Sequence, residues 1–359
     1  MTAMKETAKA LVAPTKGILA ADESFRTIDR RFHAVSLEST EDSRRAYREL
    51  LFTTPGIENF VSGVILFDET IRQRTSDGTP FTVLLEQQGI MAGIKVDMGT
   101  VPLAGPSLEV ITEGLDGLRD RLAGYVKLGA SFAKWRAVIR IGEGIPSPTC
   151  LSANAQVLAR YASLCQEAGL VPIVEPEVLM EGDHDLERCG LVTRQTQHRV
   201  FDALHTFDVR LDEMLLKPNM VLSGKDSPRQ STIEEVADAT LACLKESVPP
   251  AVPGIVFLSG GQSPELATAH LNAIHALGLL PWEVSFSFSR ALQDPALDAW
   301  RGDPARREEA QAAFLHRARC NAAARQGHYR PDMEQRREPR RPVSRDSAPR
   351  RASGPRARG

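Results

Sequence analysis

The sequence predicts an α/β fold, namely a TIM (β/α)8 barrel. Three observations favour it. The 359 residues have the 42% hydrophobic and 25% charged composition of an ordinary soluble globular protein. Short apolar runs alternate with amphipathic stretches up to about residue 330, and eight of these runs are candidate strands. Two average domains would also fit this length, but eight strands are the number that closes such a barrel.

The candidate strands are 17–21, 63–67, 91–96, 132–138, 171–174, 214–217, 255–258 and 284–288. Helical patterns lie between them. Apolar residues recur at helical spacing over 153–168, and Gly169 follows as a C-cap before the next apolar run. Thr232 and Glu235 form a capping box ahead of another amphipathic stretch. This repeated order of helix and strand predicts the units of a parallel barrel.

Polar or charged residues end or interrupt most of the apolar runs. They are Asp22, Lys95, Lys134, Glu175, Lys217, Ser259 and Ser287. A charge within an apolar strand is costly unless it is paired or faces a site, and barrel active sites lie at the C-terminal ends of the strands. The alternative, a doubly wound open sheet, usually carries a G-x-G-x-x-G turn after its first strand, which this sequence lacks. We therefore expect the barrel, with a site at that end.

Composition limits the compartment and the classes of function. The five cysteines include no CxxC pair, which favours reduced thiols in the cytoplasm over a disulfide framework or a zinc site. The sequence shows no signal-peptide core and no run of transmembrane length, so we expect no membrane contact. It contains no G-x-S-x-G or P-loop motif, and the Asp-His-Asp triplet at 183–185 matches no metal motif. We expect neither a metal nor a cofactor.

The C-terminal segment differs from the rest. Residues 336–359 contain nine arginines and two acidic residues, although the whole chain has a net charge of −2. With four prolines and almost no apolar residue, this segment cannot repay the entropy of ordering. We predict a barrel over 1–335 and a disordered basic tail over 336–359. Such a tail can attract nucleic acid weakly, but without interleaved aromatic residues a solvated appendage is preferred.

Lys217 is a candidate nucleophile. It ends the apolar run Leu215-Leu216, and the proline after it keeps its backbone extended. Burial and nearby cations favour the neutral amine that forms a Schiff base. Strand alternation places Lys134 and Arg136 on one face of their strand. The alternative for each lysine is a structural ion pair.

Carboxylates accompany these lysines. Glu175 and Glu177 share a face of one strand, and Asp22 follows the first strand. A single lysine paired with such a carboxylate would be explained best by stability. Three lysines with Asp22 and Glu175 at strand ends favour a catalytic site.

A glycine-containing loop follows the seventh candidate strand. Ser259, Gly260 and Gly261 come directly after it, and Ser263 with Pro264 predicts a helix start. Open backbone N–H groups in such a loop can bind phosphate, and Arg290 after the eighth strand could add a bidentate contact. Barrel enzymes commonly bind phosphate there.

Six motifs in order resemble the class I fructose-1,6-bisphosphate aldolases. They are Gly17-Ile-Leu-Ala-Ala-Asp-Glu-Ser24, Gly93-Ile-Lys-Val-Asp97, Phe132-Ala-Lys-Trp-Arg136, Pro172-Ile-Val-Glu-Pro-Glu177, Leu215-Leu-Lys-Pro-Asn-Met220 and Phe257-Leu-Ser-Gly-Gly-Gln-Ser263. The resemblance covers about residues 8–329. It implies reversible, metal-independent cleavage of fructose 1,6-bisphosphate to dihydroxyacetone phosphate and glyceraldehyde 3-phosphate, in glycolysis and gluconeogenesis. It also implies a homo-oligomer, often a tetramer.

The resemblance also implies roles for residues. Lys217 resembles the Schiff-base lysine, and Glu175 resembles the general acid and base. Asp22 matches the aspartate near the C3 and C4 hydroxyls, Lys134 the lysine that assists proton transfers, and Glu177 would orient these groups. The positions matching substrate and phosphate contacts are Ser24, Arg31, Lys95, Arg136, Ser259, Gly260, Gly261, Ser287 and Arg290.

The sequence departs from the family at several points. Many members end in a tyrosine, whereas this chain ends in Gly359, and Ser289 replaces a common glycine. Two alternatives stay open. One is a Schiff-base enzyme for a monophosphate, such as a transaldolase or an aldolase preferring fructose 1-phosphate. The other is a binding protein that uses the basic tail.

Overall fold

The computed structural model of the chain describes residues 2–105 and 108–335. One compact unit ends at Tyr329, and a second begins at Arg330, where Pro331–Gln335 form a 3-10 helix. The predicted tail at 336–359 lies outside the described residues. Its disorder, its attraction for nucleic acid and the boundary at 335 stay predictions.

The first unit contains a closed barrel of parallel strands. The barrel strands are β1 (Gly17–Ala21), β2 (Val61–Leu66), β3 (Met91–Lys95), β6 (Phe132–Ile139), β7 (Val171–Val178), β8 (Leu215–Leu216), β9 (Gly254–Phe257) and β10 (Glu283–Phe288), and they pair in this order with β10 returning to β1. A separate antiparallel pair, β4 (Thr100–Pro102) and β5 (Val110–Thr112), lies between β3 and β6 in the chain. Each predicted strand is present with ends shifted by up to four residues, and the TIM barrel is confirmed.

Helices join the strands. They are α1 (Ala3–Leu11), α2 (Phe25–Ala34), α3 (Glu41–Phe52), α4 (Asp68–Arg72), α5 (Phe81–Gln87), α6 (Leu118–Lys127), α7 (Pro148–Glu167), α8 (Leu186–Thr206), α9 (Ile233–Ser247), α10 (Pro264–Ala276), α11 (Arg290–Trp300) and α12 (Arg307–Ala324), with 3-10 turns at Ile57–Asn59, Leu211–Glu213 and Pro304–Arg306. The predicted capping box of Thr232 and Glu235 starts α9, and Ser263 caps α10. Helix α7 begins earlier than its apolar pattern because Ser147 caps its first turn.

The N-terminal end of the barrel is filled by apolar side chains. Leu11 and Val12, at the end of α1, belong to a buried cluster with Phe132, Ile173 and other strand residues. Glycines on the strands make room for this filling. A Cβ placed on Gly93 would lie only 2.2 Å from the Phe132 ring, so a larger residue there would clash. The interior is therefore packed at one end, and the polar strand ends are at the other.

The five cysteines are buried, and none forms a disulfide within the described residues. Within residues 2–105 and 108–335, no helix has the length and apolar character needed to cross a membrane.

Candidate active site

A cavity of about 990 Å³ opens at the C-terminal ends of the barrel strands. Most of the predicted site residues line it: Asp22, Ser24, Lys95, Lys134, Arg136, Glu175, Glu177, Lys217, Ser259, Gly260, Ser287 and Arg290. Arg31 and Gly261 are not among the lining residues. The parallel register explains the grouping, because it aligns the polar ends of successive strands on one rim.

Four charged side chains form a row of alternating sign on the cavity floor. Lys217 Nζ lies 3.1 Å from Glu175 Oε1, and the other carboxylate oxygen, Oε2, lies 3.3 Å from Lys134 Nζ. Lys134 Nζ in turn lies 2.7 Å from Asp22 Oδ2. All four side chains are at least nine-tenths buried. The carboxylate of Glu175 therefore lies between the side-chain nitrogens of the two lysines, within contact distance of both.

The charges in this row shift the pKa values of Asp22 and Lys134. Burial alone would raise the pKa of Asp22, but the charges of Lys134 and Lys217 outweigh it and lower that pKa to about 2. Burial would likewise lower the pKa of Lys134, yet the carboxylates of Asp22, Glu175 and Asp97 raise it above its ordinary value. Near neutral pH, Asp22 is an anion and Lys134 a cation.

A second lysine and carboxylate extend the row. Lys95 Nζ lies 2.6 Å from Asp97 Oδ1, and the other oxygen of Asp97 lies 3.9 Å from Lys134 Nζ. The pairing of β3 with β6 puts Lys95 beside Lys134. Asp97 is a buried residue of the site that the sequence-based prediction did not include among the site residues. Its position two residues after Lys95, at a strand end, is the signal that could have identified it.

Arg136 and Glu177 form an ion pair on the wall of the same cavity. Burial would lower the pKa of Arg136, but Glu177 raises it above the ordinary value. The predicted alternation is confirmed, because Arg136 lines the cavity with Lys134, whereas the Trp135 ring packs at a tilt against the Tyr161 ring with centroids 5.5 Å apart.

The loop after β9 reaches the cavity from the other side. Ser259 and Gly260 line it, and Gly260 and Gly261 both adopt left-handed backbone angles, with φ of +59° and +86°. These angles favour glycine and turn the backbone towards the rim. Ser287 Oγ is buried and makes no hydrogen bond within the described part of the chain. An unpartnered hydroxyl in a polar cavity is suited to a ligand oxygen.

Glu23 holds the rim of the site together. It accepts hydrogen bonds from Ser289 Oγ at 2.6 Å and from Gln293 Nε2 at 2.9 Å, and its other oxygen pairs with Arg48 at 2.6 Å. Burial would raise its pKa, but Arg48 and Arg31 lower it. Sequence-based prediction did not include Glu23 among the site residues, because the sequence does not show which arginines its carboxylate pairs with.

Arg31 is occupied by this rim network. Its guanidinium pairs with Glu23 and, at 2.7 Å, with Asp294 Oδ1. A phosphate would have to compete with both carboxylates for it. The predicted contact of Arg31 with substrate thus has weaker geometric support than the contacts that line the cavity.

The carboxylates of the floor are not arranged as metal ligands. A divalent cation would have to displace Lys134 from Asp22 and Glu175, and Lys95 from Asp97. Ammonium groups at these distances already neutralise the oxygens that a hard cation would need. The site is built to bind anionic or hydroxylated groups through lysine and arginine.

Comparison with known proteins identifies the family. The family model described as "Fructose-bisphosphate aldolase class-I" matches residues 3–346. The chain is 56% identical over 328 residues to a "Probable fructose-bisphosphate aldolase class 1" of Xanthomonas campestris pv. campestris, covering 91% of this chain and 98% of the relative. It is 53% identical over 325 residues to "Fructose-bisphosphate aldolase 5, cytosolic" of Arabidopsis thaliana, covering 90% of each chain.

A solved structure agrees with these matches. It is a fructose-bisphosphate aldolase of Plasmodium falciparum, crystallised with TRAP and a small-molecule inhibitor, and it superposes with a TM-score of 0.90 at 46% identity. The match covers 91% of this chain and 95% of that one. The predicted family and activity are confirmed, and the two alternatives are not favoured. This chain belongs to the class I fructose-bisphosphate aldolase family and is a lyase.

Proposed function

We propose that the chain cleaves fructose 1,6-bisphosphate through an imine on Lys217, with Glu175 moving protons and Asp22 and Lys134 binding the substrate hydroxyls. The products are dihydroxyacetone phosphate and glyceraldehyde 3-phosphate, and the reaction is reversible. The observation that carries this proposal is the row Lys217, Glu175, Lys134 and Asp22, with successive charged atoms 3.1, 3.3 and 2.7 Å apart.

Imine formation begins with a proton transfer. Attack on the C2 carbonyl requires a neutral amine, and Glu175 Oε1, 3.1 Å from Lys217 Nζ, is placed to take the ammonium proton. The nitrogen then bonds to C2, and one of its protons passes to the former carbonyl oxygen, which becomes a hydroxyl. Glu175 returns its proton to this hydroxyl, which leaves as water, and the protonated imine remains.

The protonated imine makes carbon–carbon cleavage feasible. A base removes the C4 hydroxyl proton, the C3–C4 bond breaks, and its electron pair moves into the iminium to give an enamine. Glyceraldehyde 3-phosphate leaves with the new aldehyde. Protonation of the enamine at C3 and hydrolysis of the imine then release dihydroxyacetone phosphate and restore the Lys217 amine.

The lowered pKa of Asp22 and the raised pKa of Lys134 indicate which step of the reaction each residue assists. Asp22, with its pKa lowered to about 2, is a poor base and suits hydrogen-bond acceptance from the substrate hydroxyls. Lys134, with its pKa raised, stays an ammonium that stabilises negative charge on a departing oxygen. Glu175 lies between the two lysines and is the group left to carry the C4 proton.

The two phosphates are assigned to two groups of site residues. We assign the 1-phosphate to Ser259, Gly260, Gly261, Ser287 and Arg290, and the 6-phosphate to Ser24, Lys95 and Arg136, with Arg31 as a further candidate. The glycine backbone and the unpartnered Ser287 hydroxyl support the first assignment. The cation of Lys95 supports the second, although Asp97 partly neutralises it.

The test is to assay cleavage in excess chelator and then reduce the enzyme–substrate mixture with borohydride. We expect activity to survive chelation and mass mapping to place the adduct on Lys217. Lys217→Met should lose the adduct and at least about a thousandfold in kcat. Lys245→Met, an exposed lysine on α9, is the matched control and should behave as wild type. An adduct on another lysine, or normal turnover of Lys217→Met, would refute the assignment.

We further propose a homo-oligomer, a tetramer as in the family resemblance, and a cytoplasmic location. Leu277 and Leu279 support self-association, because the first is about half exposed and the second is fully exposed. The cytosolic relative supports the location. Light scattering should give the mass of four chains, and cell fractionation should recover the enzyme with cytoplasmic markers.

A further inference from the structure

The loop after β8 is fastened to the loop after β7 beside the phosphate-binding loop. Three backbone hydrogen bonds join them, from Gly224 N to His184 O at 2.8 Å, from Lys225 N to Met180 O at 2.8 Å and from Asp226 N to Gly182 O at 2.9 Å. A Cβ on Gly224 would lie 2.2 Å from the Gly182 carbonyl oxygen, so the two backbones approach this closely only with glycine. The backbone of Lys225 is therefore held in a defined place.

From that place Lys225 reaches the glycine loop that carries the proposed phosphate site. A Cβ placed on Gly261 would lie 3.2 Å from an Nη atom of Arg290 and 3.4 Å from Lys225 Nζ. The two cationic groups thus approach the same point from different strands of the barrel. Neither the apolar runs nor the strand-end pattern indicates this, because Lys225 lies well past its strand.

Two cations brought together repel each other unless an anion lies between them. The carboxylate nearest to Lys225 in the described residues is Glu181, with its Oε1 3.3 Å away and both side chains about half exposed. Such an exposed pair is weak and exchanges readily with water. The backbone of Gly260 and Gly261, with left-handed angles, adds N–H groups without side-chain obstruction. The two cationic groups and the backbone N–H groups at this point suit a phosphate dianion.

We propose that Lys225 is a further substrate-binding residue, which supplies a second cation beside Arg290 to the 1-phosphate. This inference rests on the assignment of the Ser259–Gly261 loop to that phosphate under the proposed function. Lys225 would leave Glu181 when the phosphate binds. Dihydroxyacetone phosphate carries this phosphate, whereas glyceraldehyde 3-phosphate carries the other one.

In the condensation direction each of the two substrates carries one of the phosphates, so the KM for each substrate reports on one phosphate site. We expect Lys225→Met to raise the KM for dihydroxyacetone phosphate about threefold to tenfold, the range for one charge-assisted contact in a partly exposed site. The KM for glyceraldehyde 3-phosphate and kcat should change less than twofold. Lys225→Arg should restore most of the affinity. A purely structural role would instead lower thermal stability and change both KM values together.

Two controls complete the experiment. Glu181→Gln removes the competing carboxylate and should leave the KM for dihydroxyacetone phosphate unchanged or lower it, and Lys245→Met should match wild type. An unchanged KM in Lys225→Met, or an equal rise for both trioses, would overturn the proposal. Failure of the imine assignment would appear separately, as a wild-type enzyme whose borohydride adduct is not on Lys217.

Discussion

The ion pair between Asp22 and Lys134 predicts a pH-dependent contribution to stability. Asparagine has nearly the shape of the carboxylate of aspartate but carries no charge, so Asp22→Asn removes the negative charge and little else. The charges of Lys134 and Lys217, against the cost of burial, lower the pKa of Asp22 from 3.8 to about 2. At about 1.4 kcal/mol for each unit of pKa, the ionised state of Asp22 stabilises the fold by about 2 to 3 kcal/mol.

The sign of the pH dependence follows from the direction of the pKa change. Because the folded pKa is lower than the unfolded one, the stabilisation is complete well above pH 3.8 and is lost as the pH falls from about 3.8 towards about 2. We expect Asp22→Asn to lower the free energy of unfolding by about 2 to 3 kcal/mol at pH 7, and by about half as much at pH 3.

Urea titration of wild type and variant at several pH values, followed by tryptophan fluorescence, measures this difference. Glu167→Gln is the control, because it removes a carboxylate whose pair with Arg119 is exposed, and its stability should stay near wild type at each pH. An equal loss for Asp22→Asn at pH 3 and pH 7 would show that shape or hydrogen bonding, and not charge, accounts for the effect. No loss at pH 7 would refute the electrostatic reasoning altogether.

Two further substitutions test the site and the core. Ser287→Ala should raise the KM for fructose 1,6-bisphosphate about threefold without lowering the melting temperature, since its buried hydroxyl has no protein partner within the described residues; a lower melting temperature with an unchanged KM would contradict this. Gly93→Ala should lower the free energy of unfolding by about 3 kcal/mol, because its Cβ would lie 2.2 Å from the Phe132 ring, and Phe132→Leu in the same chain should restore part of the loss. Urea titration measures the free energy of unfolding of Gly93→Ala and of the double variant. A Gly93→Ala variant as stable as wild type would show that the Phe132 ring moves aside.

The strands were predictable because each is a short apolar run, and most of these runs end in or carry a polar residue. The capping box of Thr232 and Glu235 and the helix start at Pro264 were predictable because caps use few residue types. The pair β4 and β5 was not predicted. Its strands are three residues long and include Pro102, so they lack the apolar period that marks a barrel strand.

The errors in predicting the residues of the site from the sequence have a common cause. A sequence shows which charges stand near strand ends, but it does not show which charges pair with one another. Asp97 and Glu23 were missed for this reason, and Arg31 was assigned to a phosphate although the rim network holds it. Pairing depends on register and side-chain direction across separate strands, which only the closed barrel brings together.

The contact between Gly93 and Phe132 also limits how this barrel can diverge. If the glycine gains a side chain first, the clash with the ring is immediate, since both residues are buried in the same packed end. If the phenylalanine becomes smaller first, the cost is a cavity, which neighbouring apolar groups can partly fill. A lineage that exchanges this pair is therefore expected to change Phe132 before Gly93, so the order of the two mutations is set by the packing of a single ring.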